Sequence, residues 1–69
     1  MTSATITLNG NPYEISSQAT ISAVLAQLGL QGKPVVVELD EQAVFPRDYE
    51  NTTVQSGSRM EVVTLAAGG

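Results

Sequence analysis

The chain has 69 residues, of which 42% are hydrophobic and 14% are charged, and its formal net charge is −4. This composition is too apolar for a disordered chain, and the length predicts one small domain that buries about 60% of its unfolded surface. The negative charge argues against nucleic acid and membrane surfaces as partners, and a sequence without Cys or His has no disulfides, thiol nucleophiles, imidazole bases or common zinc ligands.

The opening segment predicts a β-hairpin. In "ATITL" at 4–8, Ile6 and Leu8 share one face, and "YEI" at 13–15 resumes the alternation with Tyr13 and Ile15 inward. Asn9 and Gly10 between them are residues that tolerate the positive φ of a tight turn.

One helix is predicted next, over "ISAVLAQL". Its apolar side chains recur at helical spacing, Thr20 is a suitable N-cap, and Gly29 stands where a left-handed C-terminal cap is expected. Leu30 could then contact Leu25, as in a Schellman ending.

The second half predicts three more strands. "PVVVEL" at 34–39 is dense enough in β-branched residues for the middle of a sheet, covered on both sides. "AVF" offers a short strand, "RDYEN" a single helical turn, and "RMEVVTL" at 59–65 the last strand. The crossover helix lets the strand at 34–39 run parallel to the first strand. The expected architecture is α+β, a β-grasp in which a mixed sheet holds one helix.

Most features that could carry chemistry have a structural explanation. The acidic residues Asp40, Glu41, Asp48 and Glu50 are expected to form a solvated surface and not a metal site. Tyr13 and Phe45 are expected in the core, because a small domain needs every large apolar group. We expect no enzymatic activity and no bound cofactor. Without a signal peptide or a long apolar run, a cytoplasmic location is expected.

The final strand and the residues after it do not fit this pattern. If Met60, Val62 and Thr64 face inward, Val63 and Leu65 are apolar groups on the outer face. They could form a docking patch, be covered by the region of Tyr49, or face the other way than assumed.

The chain ends in "AAGG", residues 66–69, which carry no side chain larger than a methyl group. We expect a domain over 1–65 and a flexible tail over 66–69 that extends about 13 Å. A frayed end is the simple explanation. A bare end would also suit an enzyme that threads the tail through a narrow channel and activates its carboxylate with ATP. Gly69 has no stereocentre to lose during such activation.

The whole chain closely resembles the thiamine-biosynthesis sulfur carrier proteins, small β-grasp relatives of ubiquitin. The resemblance depends on "FPR" at 45–47, "GSRMEVVTL" in the last strand, the terminal Gly68 and Gly69, and the short length.

The resemblance implies a cycle of chemistry at Gly69. An E1-like enzyme would adenylate Gly69 with ATP, and a persulfide from a cysteine desulfurase or relay protein would convert it to a thiocarboxylate. Thiazole synthase would then take the sulfur. Val63 and Leu65 would dock on both enzymes, and Ala66, Ala67 and Gly68 would line their channels. Arg47 is a candidate docking residue, although a structural salt bridge is the favoured interpretation.

Three alternatives stay open. The small subunit of molybdopterin synthase shares the fold and the Gly-Gly end but is typically longer. A ubiquitin-like modifier would form isopeptide links to other proteins. A structural β-grasp adaptor would not use its terminus, so deletion of Gly69 would leave its binding unchanged.

Overall fold

The computed structural model describes residues 2–65, which form a five-stranded sheet and one helix. Residues 66–69, which contain the predicted tail, lie outside the described residues. The elements in chain order are β1 (Ser3–Leu8), β2 (Asn11–Ser16), α1 (Ile21–Gln27), β3 (Val35–Leu39), β4 (Gln42–Val44), a 3₁₀ turn (Pro46–Asp48) and β5 (Arg59–Thr64).

The predicted opening hairpin is confirmed. Asn9 and Gly10 have φ of 49° and 88°, and two consecutive positive values match the right-handed twist of the paired strands. Ile6 and Ile15 are fully buried, while Tyr13 is partly buried against the core.

Both predicted ends of the helix are also confirmed. The Thr20 hydroxyl accepts a hydrogen bond from the Ala23 backbone N–H at 3.1 Å. Beyond the other end, Gly29 has φ of 75° and donates to the Ala26 carbonyl, and the Leu30 N–H donates to the Leu25 carbonyl at 2.8 Å. These two bonds are the Schellman pattern, which satisfies carbonyls that the helix leaves free.

The sheet is mixed, as predicted, but its strand order is β2-β1-β5-β3-β4. The prediction of β3 as the middle strand is wrong, because β5 occupies that place. The predicted parallel relation is also misplaced: β1 runs parallel to β5, and β5 pairs antiparallel with β3. The density of Val in β3 therefore does not reflect burial on both faces. Val37 is fully buried beneath the helix, whereas Val36 is 45% exposed on the other face.

The core lies between the inner face of the sheet and α1. Its buried apolar residues come from every strand except β4, from α1 and from the connection that follows the 3₁₀ turn; they are Ala4, Ile6, Leu8, Ile15, Ile21, Val24, Leu25, Val37, Val54, Met60 and Val62. In the described part of the chain, no helix has the length and hydropathy needed to cross a bilayer.

The connection between β4 and β5 is bonded to the start of α1. The N–H groups of Ile21 and Ser22 donate to the carbonyls of Thr52 and Tyr49, at 2.9 and 3.1 Å. In return, the Val54 N–H donates to the Ala19 carbonyl at 2.8 Å. Amides that the helix cannot satisfy internally are thus satisfied by a distant segment.

The side chain of Asn9 extends the pairing of β1 with β5. Its amide nitrogen donates to the Val62 carbonyl at 3.2 Å, and its amide oxygen accepts from the Val62 N–H at 2.9 Å. The side chain therefore provides the donor and acceptor that a further strand residue would have supplied. This contact ties β5, at the residue before Val63, to the turn that follows β1.

Candidate functional site

The chain leaves the domain at the end of the central strand. The last strand residue is Thr64, and the next backbone N–H, that of Leu65, donates to the Pro34 carbonyl at 3.0 Å. The exit is thus fixed beside the start of β3. The predicted tail residues Ala66, Ala67, Gly68 and Gly69 follow this point and lie outside the described residues.

The predicted outward facing of Val63 is confirmed, whereas Leu65, just beyond the strand, lines a groove with Tyr49. They are 57% and 49% exposed, whereas Met60 and Val62 on the alternate face of β5 are buried. An inverted strand is therefore excluded, and Val63 is not covered by the region of Tyr49. Two large apolar groups stand in solvent directly before the exit.

Two further apolar residues share this outer face, and the sequence interpretation missed both. Val36 is the direct partner of Val63 in the pairing of β3 with β5. Phe45, predicted in the core, is 56% exposed, so that prediction is wrong. Val44 pairs with Val37 on the inner side, so Phe45, the next residue, turns outward.

Arg47 lies near this face, in the 3₁₀ turn. Its guanidinium carbon is 5.4 Å from the centre of the Phe45 ring, within cation–π range. Its Nε lies 3.7 Å from an Asp48 carboxylate oxygen, but the two side chains are 80% and 51% exposed. A salt bridge so exposed contributes little stability, so the structural role favoured from the sequence is weak here.

A groove lies beside the exit, between α1, the start of β3 and the 3₁₀ turn. Its volume is about 570 Å³, and its lining includes Leu25, Leu30, Val35, Tyr49 and Leu65. The Tyr49 hydroxyl is buried and has no hydrogen-bond partner among residues 2–65. This burial raises the pKa of the Tyr49 phenol, since the charged form is poorly solvated there.

In the described part of the chain, the acidic side chains do not form a metal site. Within residues 2–65, no group of three or more is arranged to hold a metal ion. Asp40 instead accepts a hydrogen bond from the Arg59 N–H at 2.9 Å, and Glu41 pairs with the Arg59 guanidinium at 3.2 Å. What the described residues bring together near the exit is an apolar surface.

Comparison with known proteins gives one family. A model described as the ThiS family matches residues 6–69. The sulfur carrier protein ThiS of Thermus thermophilus is 34% identical over 62 residues, which cover 90% of this chain and 95% of that protein. The solved structure of a thiamine biosynthesis protein (ThiS) from Geobacter metallireducens is 26% identical, with a TM-score of 0.80, over 94% of this chain and 99% of that one.

A longer protein also contains a similar segment. A thiazole synthase of Paramagnetospirillum magneticum is 30% identical over 64 residues, which are 93% of this chain. The chain spans 20% of that protein's length.

Proposed function

We propose that this chain, which belongs to the ThiS family, carries sulfur in thiamine biosynthesis. The observation that supports this most strongly is the family match over residues 6–69, which includes both the apolar exit and the terminal Gly-Gly pair. The working group is the terminal carboxylate of Gly69. The chain is a substrate of other enzymes and not a catalyst itself.

The carboxylate of Gly69 is activated before it accepts sulfur. In the proposed first step, the carboxylate oxygen attacks the α-phosphorus of ATP in the active site of an E1-like enzyme, and pyrophosphate leaves. The terminal sulfur of a persulfide, supplied by a cysteine desulfurase or a relay protein, then attacks the acyl carbon and expels AMP. Cleavage of the sulfur–sulfur bond by a thiol leaves the thiocarboxylate.

Thiazole synthase is the proposed acceptor of the sulfur. When the carbon–sulfur bond to the acyl carbon breaks and the sulfur stays with the acceptor, an oxygen from water or from the acceptor's carbonyl group bonds to the acyl carbon and regenerates the carboxylate, so the carrier can be used again. The similarity to a segment of a protein named thiazole synthase supports this partner, because linked polypeptides often unite proteins that act together. ATP belongs to the adenylating enzyme in this scheme, and the carrier binds no cofactor.

The composition of the tail suits this role. Ala66, Ala67, Gly68 and Gly69 carry at most a methyl group, so a narrow channel could admit them. Four residues extend at most about 13 Å, which sets the depth of the partner's active site below the carrier surface. Val63 and Leu65 would contact the rim of that channel, with Arg47 as a further contact.

The direct test is sulfur transfer followed by intact-mass spectrometry. The carrier is incubated with an E1-like enzyme, ATP and a persulfide donor, and we expect exchange of one terminal oxygen for sulfur. A variant that lacks Gly69 keeps every described contact and is the matched control; its mass should not change. If an enzyme of verified activity leaves the intact carrier unchanged, the proposal is wrong.

A further inference from the structure

We propose that Asn9 is a site of spontaneous chemical modification, at which the side-chain amide is lost by reaction with the Gly10 backbone nitrogen, and that the folded sheet suppresses this reaction. The modification is independent of sulfur transfer, because both reacting groups belong to the turn between β1 and β2. It links the chemical lifetime of the chain to its stability.

The reaction joins two groups of neighbouring residues. The backbone nitrogen of Gly10 attacks the side-chain carbonyl carbon of Asn9 and forms a carbon–nitrogen bond. The bond from that carbon to the side-chain nitrogen breaks, and ammonia leaves with the proton that the Gly10 nitrogen gives up. The product is a cyclic imide. Water then opens the imide at either of its carbonyl groups, which leaves aspartate or isoaspartate at position 9.

The sequence selects Asn9 from the three asparagines of the chain. The attacking nitrogen of Gly10 is unhindered, because glycine has no Cβ. Asn11 is followed by Pro12, whose nitrogen carries no hydrogen and cannot form the imide. Asn51 is followed by threonine, whose branched side chain crowds the nitrogen. In an unfolded chain, Asn9 should therefore react first.

The folded turn holds the reacting atoms apart. Asn9 and Gly10 have φ of 49° and 88°. The strand residues on either side of them, Leu8 and Asn11, are paired, so the turn is a two-residue turn of type I′. In such a turn the first residue has ψ of about +30°, which sets its Cβ and the next nitrogen on nearly opposite sides of the Cα–C bond. The imide ring needs them on the same side, so the turn must open before the ring can close.

The side chain of Asn9 is also anchored to the central strand. Its amide nitrogen donates to the Val62 carbonyl at 3.2 Å, and its amide oxygen accepts from the Val62 N–H at 2.9 Å. The backbone N–H of Asn9 donates to the Met60 carbonyl at 2.9 Å. The neighbouring Leu8 is buried in the core. We therefore expect the reaction to require release of β1 from β5, which amounts to unfolding of the sheet.

Either product damages the contact from which it arose. Both replace the amide of Asn9 by a carboxylate, so the donor to the Val62 carbonyl is lost and a charged oxygen is set against that carbonyl. Isoaspartate also leads the main chain through Cβ, which adds an extra atom to the turn. The modified chain should therefore unfold more readily than the original one.

Mass spectrometry of aged protein tests the site and its protection. The chain is incubated in mildly alkaline buffer with denaturing guanidinium chloride or an equal concentration of sodium chloride. The exchange of NH for O is followed with time and located by fragmentation. In denaturant, modification should occur at Asn9 before Asn11 or Asn51. In sodium chloride it should be at least roughly a hundredfold slower, because nearly all molecules are folded. Equal rates in the two solvents, or a first reaction at another asparagine, would overturn the proposal.

Thr20→Ala distinguishes unfolding of the domain from local opening of the turn. Thr20 caps α1 and lies outside the turn, and loss of its cap should raise the unfolded fraction roughly fivefold. Modification in sodium chloride should accelerate by the same factor, and modification in denaturant should keep its rate. If the variant is less stable and its rate in sodium chloride is unchanged, the turn opens without unfolding and the proposed protection is wrong.

Gly10→Ala is the control for the chemistry. It is compared in denaturant only, because alanine is strained at the φ of 88° in the folded chain. The added methyl group crowds the attacking nitrogen, so modification at position 9 should be several-fold slower. An unchanged rate would refute attack by the Gly10 nitrogen. The modified unsubstituted chain, separated by ion exchange, should unfold at a lower denaturant concentration than the original, and an equal midpoint would refute the proposed damage to the contact with Val62.

Discussion

Replacement of Asn9 by Gly should remove a contact between distant parts of the sheet and leave its turn intact. Glycine adopts the positive φ of position 9 without strain, so the substitution isolates the two side-chain bonds to Val62. Each hydrogen bond contributes about 0.5–1.5 kcal/mol, which gives roughly 2 kcal/mol for the pair. Glycine also relieves the strain of a positive φ, which stabilises the folded state, and adds freedom to the unfolded chain, which destabilises the folded state. These two effects are of similar size and largely cancel.

Urea denaturation followed by far-ultraviolet circular dichroism measures this loss. In a thermal melt of a domain of this length, the same loss of about 2 kcal/mol in unfolding free energy should lower the melting temperature by roughly 8–16 °C. Asn9→Asp is a second variant: it keeps an acceptor for the Val62 N–H but sets a carboxylate oxygen against the Val62 carbonyl, and it should be at least as unstable. If Asn9→Gly lies within about 0.5 kcal/mol of the unsubstituted chain, the bonds to Val62 do not hold β5 in place and the reasoning is refuted.

Three further changes test the helix ends and the buried phenol, each by urea denaturation. Thr20→Ala should cost about 1 kcal/mol through loss of the cap, while Thr20→Ser should cost little; equal losses would contradict this. Gly29→Ala should also lower the free energy of unfolding by about 1 kcal/mol. The loss comes from the φ of 75°, since no atom lies within 4 Å of the added methyl group. An unchanged urea midpoint would contradict this. Tyr49→Phe should be neutral or stabilising, because it removes a buried hydroxyl without a described partner. The pKa of Tyr49 is raised in the folded state, so stability from this group is present below pH of about 10 and declines above it, and the Phe variant should decline less.

The features that could be predicted from the sequence are those set by neighbouring residues. The Asn9–Gly10 turn and the caps at Thr20 and Gly29 depend on the φ preferences and hydrogen-bonding groups of a few adjacent residues. The outward facing of Val63 follows equally from the strict alternation of a strand.

The errors concern relations between distant segments. The run of Val in β3 was interpreted as burial on two faces, but α1 covers one face of the sheet and Val36 lies on the other. Phe45 was assigned to the core from its size, although its side is set by the register of β4 with β3. The side-chain bonds of Asn9 to Val62 join residues far apart in the chain, so no local pattern indicates them.

The bonds from the start of α1 to the β4–β5 connection have a consequence for how the domain opens. A helix of seven residues is too short to persist alone in water, and its first amides are closed by Tyr49 and Thr52. The helix therefore depends on these contacts for its stability, and its melting would break the bonds to the segment that leads into the central strand. Hydrogen exchange at α1 should accordingly require global unfolding of the described domain, with no separate opening of the helix.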